Sequence, residues 1–479
     1  MTQSYAHQLE ALKRSRGKEA FAFLMDMRTG KTKVVIDEAG ALFLAGEIDA
    51  LVVVAPMGVH LDWLEQIKEH GIPELQRNVH AWRGMTTKRE EREVAARLLP
   101  QHGLLVFTIN WDALITKRGF ALMERIIKSR QNVMLVADEV HRMKTPGAQR
   151  TRRMLKLGKM PQVAFRRILT GTLIANSPLD VWAPFMFLNP GFLGHPNFYG
   201  FRSTYAVMQD RMINGRRFKE VIGYRRQDQL KEKIAKHSYS ITADECLDLP
   251  PRRYTQYPVA LSPVQVRLYR EMSEDMCSWQ NGVEMSAPLA LTQLLRLQQL
   301  LGGTFTPDND EGIMPIDGPV PRDAALIDVL EEAEGKAIIW TRFRAERDRI
   351  SELLKTTWGA DSVATVRLKS TAEEAITRFR TQPDCRFLVA NPDGTASEGR
   401  DFSMARVMVY YSNTFKLTSR LQSEARCDKK GRSGSVAVVD LVAKGTVDEQ
   451  IVGALRQKQD VAKGFSGAEL RSWLQRGGV

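Results

Sequence analysis

The sequence predicts an α/β protein of two lobes, each a parallel sheet covered by helices, with a basic helical insertion between or within them. Three observations carry this. Short β-rich apolar runs alternate with longer helix-period stretches over the first 190 residues, the pattern of strands buried on both faces and joined by crossover helices. The same rhythm returns after residue 320, and the stretch between, 191–320, lacks it. The lobes are therefore expected at 1–190 and 321–479, with 191–320 as insertion and linker.

In the first lobe the expected strands are Phe21 to Met27, Ile48 to Pro56, Leu104 to Asn110, Val133 to Glu139 and Arg167 to Thr172, with helices such as Lys31 to Leu44 and Val59 to His70 between them. In the second they are Lys336 to Thr341, Val363 to Leu368, Arg386 to Asn391, Val407 to Ser412 and Ser435 to Val442. The insertion reads as aromatic and basic helical stretches ending in the loop GGTFTPDNDEGIMPIDGPVPR, rich in Gly, Pro and Asp.

A chain of 479 residues is too long for one ordinary core. With 43% apolar and 26% charged residues, the composition is that of a globular enzyme. The longest apolar runs fall far short of the ~18 residues of a membrane span, and the first residues lack the apolar stretch of a secretory signal. Cys246, Cys277, Cys385 and Cys427 form no CxxC pair, which argues against zinc and a disulfide framework. A cytoplasmic protein, in a bacterial or phage-infected cell, is expected. The net charge of +13 points to a polyanionic partner. It is clustered: Arg142 to Arg167 holds nine Lys or Arg and no acid, and Arg202 to Lys236 holds ten basic and four acidic residues. Arg152, Arg153, Arg216 and Arg217 are the candidate nucleic-acid contacts, the alternative being a solvated basic helix face.

Three segments of the first lobe carry chemistry. FAFLMDMRTGKT is a strand entering a loop that ends Gly30-Lys31-Thr32 at the mouth of a helix. Backbone N–H groups of such a loop cradle phosphates, Lys31 reaches the β and γ phosphates, and Thr32 offers its hydroxyl to Mg²⁺. The pattern is imperfect, with Met25 at the leading small position and Arg28 two before Gly30. VMLVADEVH then places Asp138 and Glu139 at the C-terminal end of a strand, where parallel sheets bind ligands. Asp138 holds Mg²⁺ through water and Glu139 orients the attacking water. RRILTGT brings Thr170 and Thr172 to a strand end, where hydroxyls sense the nucleotide through those carboxylates. In the second lobe Gln422 and Arg426 stand at i and i+4 and share a helix face.

These segments resemble helicase superfamily two, and within it the Swi/Snf-type DNA-dependent ATPases, in compact stand-alone form. The resemblance covers nearly the whole chain, through YAHQLEAL, MRTGKT, LVVVAPMGVHLDWLEQI, VFTINWDAL, ADEVHRMK and LTGTLIANSPLDVWAPFMFLNP, then DECLDLPP, KAIIWTRF, ASEGRDF, LQSEARCDKKGR and VDLVAKGTVDEQIV. It implies two RecA-like lobes and ATP with Mg²⁺ as cofactors. Gln8 is the implied adenine-recognising glutamine and His141 belongs to the implied coupling set. Gly399 and Asp401 are implied in coupling ATP to DNA, and Gln422 and Arg426 in an arginine finger. Lys429 stands where the family has a second arginine, with Arg432 further on. Leu173 replaces a usual proline, and Arg28 a usual glycine.

The expected activity is an ATP-dependent DNA translocase, a monomer moving on duplex or branched DNA, with Lys31, Glu139 and Arg426 carrying hydrolysis. The rival readings are a strand-separating DNA or RNA helicase, and an ATP-binding nucleic-acid clamp with little turnover.

Overall fold

A computed structural model describes residues 2–84, 93, 103–171, 173, 177–213, 216–246, 252–280, 283–286, 290–308, 312–367, 371–394, 401–427 and 435–456. The chain forms two compact units, Met1–Leu247 and Asp248–Val479.

The first unit begins with α1 (Ala6–Ser15), β1 (Ala20–Met25), α2 (Lys31–Leu44), β2 (Ala50–Ala55), α3 (Val59–His70) and β3 (Val79–Ala81). It continues through β4 (Leu105–Asn110), α4 (Trp111–Leu114), α5 (Lys117–Lys128), β5 (Val133–Asp138), α6 (Gln149–Gly158) and β6 (Val163–Leu169). Its sheet has the order β3-β4-β2-β5-β6-β1-β9, with β9 at Ser238–Ile241 and every pair parallel. Strands such as ALVVVA and VMLVAD are buried at every position, because helices cover both faces. Val52, Val54, Leu135 and Ala137 enter one core. Their neighbours Leu51, Val53, Met134 and Val136 enter the other, as the two-residue strand period requires.

The insertion expected at 191–320 is shared between the units and is not wholly helical. β7 (Ala206–Ile213) and β8 (Arg216–Tyr224) pair antiparallel as a two-stranded sheet of their own. The period-two alternation around Asn214-Gly215 is a hairpin signal that the charge of this stretch obscured. β9 joins the first sheet beside β1. The second sheet is built from β10 (Arg252–Val259), β11 (Lys336–Trp340), β12 (Val363–Thr365), β13 (Phe387–Ala390), β14 (Ala405–Tyr410) and β15 (Val436–Ala443). Its order is β10-β15-β14-β11-β13-β12, all parallel.

A buried ionic cluster ties the second unit together. Arg322 pairs with Asp448, Arg349 bonds both oxygens of Asp323 at 3.0 Å, and Glu346 lies fully buried among them. Burial pushes the Glu346 carboxyl up to about 7, against the pull of Ser412, which donates to its Oε2 at 2.6 Å. A raised carboxyl pKa means the folded state keeps a proton that the unfolded chain releases. Stability therefore falls as pH rises from about 4.5 to about 7 and levels off above. Two to three pKa units correspond to about 3 kcal/mol. Glu346→Gln mimics the neutral acid, so it should stabilise the protein by up to about 3 kcal/mol at pH 8 and change little at pH 4.5. Melting curves of both proteins at the two pH values check this, and a variant less stable at pH 8 contradicts it.

Candidate nucleotide site and basic surface

The loop after β1 turns into α2 through Gly30, whose backbone is left-handed at φ 82°. A side chain there would be strained, and a Cβ would stand 2.1 Å from Nε2 of Gln8. That amide donates to the carbonyl of Thr29 at 3.0 Å, while Oε1 of Gln8 accepts from the backbone N–H of Tyr5 at 2.9 Å. His7, which the sequence did not single out, shares the Thr29 carbonyl through Nε2 at 2.8 Å. Gln8 thus braces the loop from α1. Arg28 is also left-handed, at φ 65°, which accounts for the glycine usual at that place. Among the described residues no side chain caps α2, so its first N–H groups and its positive dipole end are available to an anion.

Lys31 points its Nζ toward the end of β5, 3.5 Å from the carbonyl of Asp26 and 4.0 Å from Oε1 of Glu139. The other oxygen of Glu139 lies 3.2 Å from Nδ1 of His141. Glu139 itself is left-handed at φ 48°, a strained conformation of the kind that clusters at functional sites. Asp138 is buried; its Oδ1 accepts from the N–H of Glu139 at 2.9 Å and its Oδ2 from the indole of Trp63 at 3.0 Å. Burial first, and the neighbouring Glu139 charge second, push the Asp138 carboxyl up to about 6.

So Lys31, Asp138, Glu139 and His141 are brought together at one strand edge, with Thr32 in the first turn of α2. Thr170 is buried, its N–H donating to the carbonyl of Phe23 at 3.2 Å. Gly171 packs against the loop at Asp26. Thr172, Gly399, Lys429 and Arg432 lie outside the described residues. In the second unit Asp401 and Arg426 are neighbours: Phe402 donates its N–H to the carbonyl of Arg426 at 2.9 Å. Gln422 lies one turn earlier, on the helix Leu417–Ala425.

Several cations of the acid-free basic run have partners in three dimensions. Arg167 is buried and clasps both oxygens of Glu38 on α2 at 2.8 Å. Arg166 donates to the carbonyl of Gly158, and Lys156 pairs with Glu124 at 2.9 Å. Arg153 donates through Nη1 to the carbonyls of Leu114 and Thr116 at 2.8 and 2.6 Å, so it ties α6 to the turn between α4 and α5. Arg152 and Lys159 are exposed. Arg216 and Arg217 pair with Ile213 and Met212 in the hairpin register.

No helix among the described residues is long and apolar enough to cross a membrane, and the four cysteines are free thiols. The SNF2-related domain matches residues 12–302. An uncharacterized ATP-dependent helicase of Mycoplasma pneumoniae is 23% identical over 473 residues, 95% of this chain and 41% of that protein. The human TATA-binding protein-associated factor 172 is 23% identical over 366 residues, 65% of this chain and 20% of its own length. The chain thus spans well under half of these relatives. The Pyrococcus furiosus Hef helicase domain has a TM-score of 0.52 at 14% identity, covering 94% of this chain and 98% of that one, a likeness of fold. With more than half its length matched, the chain belongs to the SNF2-related family of helicase superfamily two.

Proposed function

We propose that the chain is an ATP-dependent translocase that hydrolyses ATP to move on duplex or branched DNA. The observation that carries this reading is the convergence of Lys31, Asp138 and Glu139 on the uncapped start of α2. Lys31, held by Glu139 at 4.0 Å, exchanges that partner for the γ-phosphate, and Glu139 is released to orient water, its other oxygen steadied by His141. The donor set fits magnesium: hard oxygens from Thr32 and Asp138, and a buried carboxylate beside a second one, where burial first and the Glu139 charge second raise the Asp138 pKa, a cost that a cation relieves. A bound magnesium ion supplies neutralisation of the phosphate charge. Gln8 fixes the loop that carries Gly30, Arg426 and Gln422 act on the nucleotide as the finger motif, and Asp401 with Gly399 couples it to DNA.

A second reading, strand separation, is favoured by the hairpin β7–β8, which pairs with no other strand among the described residues and exposes Val207, Ile222 and Tyr224. ATPase rates with duplex, single-stranded and branched DNA and with RNA, beside triplex displacement and fork unwinding, separate these readings. Displacement without unwinding is expected. Unwinding of a blunt-flanked fork favours the helicase, and no turnover on any nucleic acid favours a clamp.

The two neighbouring arginines of α6 divide the work. Arg152→Ala should flatten the slope of log affinity against log salt by roughly one unit, the loss of one phosphate contact. Arg153→Ala should leave the slope alone and cost about 1–3 kcal/mol of stability, because two carbonyls lose a charged donor. Salt titrations of DNA binding and melting curves read the two effects, and the reverse pattern would move the DNA track off α6.

A further inference from the structure

We infer that Trp63 is a positioning residue for the divalent cation, orienting the Asp138 carboxylate through its indole N–H; this rests on the nucleotide-site reading above. Trp63 lies on α3 and is almost wholly buried, with Nε1 donating to Oδ2 of Asp138 at 3.0 Å. Oδ1 accepts from the N–H of Glu139 at 2.9 Å. Each carboxylate oxygen thus takes one protein donor from this pair, out of the two lone-pair sites it offers. A carboxylate with almost no contact with bulk water turns as its donors dictate, and such supporting partners fix the geometry and affinity of metal ligands.

The residue type is informative. A lysine or arginine here would neutralise the carboxylate by ion pairing and compete with a cation. An indole donor offsets part of the burial cost and leaves the charge in place. Phenylalanine would fill the same apolar space, so packing alone does not ask for the nitrogen. Trp111 supplies an internal comparison. It is equally buried, packs in the core on the opposite face of the sheet, and donates its Nε1 to the backbone carbonyl of Asp138 at 2.9 Å. Two indoles grip one residue from both faces, and of these two only Trp63 touches the carboxylate.

The test replaces Trp63 with 3-benzothienylalanine, which keeps the shape and exchanges the N–H for sulfur. Trp63→Phe and Trp111→Phe accompany it. Manganese binding to the ADP complex is measured by electron paramagnetic resonance, and ATPase is titrated with Mg²⁺. Both Trp63 variants should bind manganese about 10–100-fold more weakly and need correspondingly more Mg²⁺ for half-saturation, with kcat recovering at saturation. Trp111→Phe should match the wild type in both. Should Trp63→Phe fail to fold, the benzothienyl variant decides alone. A benzothienyl variant with wild-type manganese affinity, or one losing kcat with no shift in Mg²⁺ dependence, overturns the inference. A wild-type ADP complex that binds no manganese overturns the nucleotide-site reading instead.

Discussion

Lys31→Ala should lower ATP hydrolysis by about 10³-fold, the order expected for losing one preorganised donor to developing charge, while DNA binding stays at the wild-type level. Within the nucleotide site, the neighbours of its Nζ are the Asp26 carbonyl at 3.5 Å and Glu139 at 4.0 Å. Neither is a strong bond that phosphate could not displace. The nearby cation Lys33 is no substitute, because it is buried and bonded to Asp37 at 2.7 Å. Removing the ammonium therefore removes the positive side chain at this mouth without opening the fold. Single-turnover hydrolysis and DNA affinity, measured on the same preparation, check the result. A variant keeping more than about a tenth of wild-type turnover, far above what loss of such a donor leaves, would remove Lys31 from the chemistry.

Glu139→Gln should separate binding from turnover, with hydrolysis falling about 10²–10⁴-fold, the range for a positioned general base, and Mg·ATP affinity held or slightly raised. The carboxylate has Lys31 Nζ 4.0 Å from one oxygen and His141 Nδ1 3.2 Å from the other. An amide keeps the size and loses that charge, so Lys31 turns more readily to phosphate. Asp138 keeps its two donors, Trp63 and the N–H of residue 139, so the cation side is untouched. Equilibrium binding of a slowly hydrolysed ATP analogue beside turnover distinguishes the cases. Equal loss of affinity and rate would make Glu139 a structural or metal-binding residue.

Much of this site was legible because its residues lie at strand ends. Once MRTGKT and ADEVH follow apolar runs, the parallel order places them on one edge, and the structure brings Lys31 to Glu139 there. What sequence spacing does not carry is the identity of distant partners. Nothing in VHLDWLEQI says that its tryptophan reaches Asp138, seventy-five residues on. Nothing in the acid-free run says that Arg167 has Glu38 waiting on α2. Net local charge counts neighbours along the chain, whereas electrostatics counts neighbours in space. The hairpin and β9 were missed for a related reason: a charged amphipathic strand and a short edge strand give a weaker periodic signal than a fully apolar one.

The strand order also decides when the phosphate loop comes into existence. β1 is the first strand made, yet its sheet partners are β6 and β9, the last two strands of that sheet to be made. Ala20 pairs with Arg166 and Ala22 with Ser238. At the roughly 5–20 residues per second of synthesis, β1 waits on the order of ten seconds or more for its first neighbour. Throughout that interval FAFLM is an apolar strand with two unsatisfied edges, the kind of segment chaperones shield. Nucleotide binding is therefore expected late in the assembly of this unit, and retention on an ATP resin by ribosome-bound chains of increasing length should appear only after β9 has left the exit tunnel.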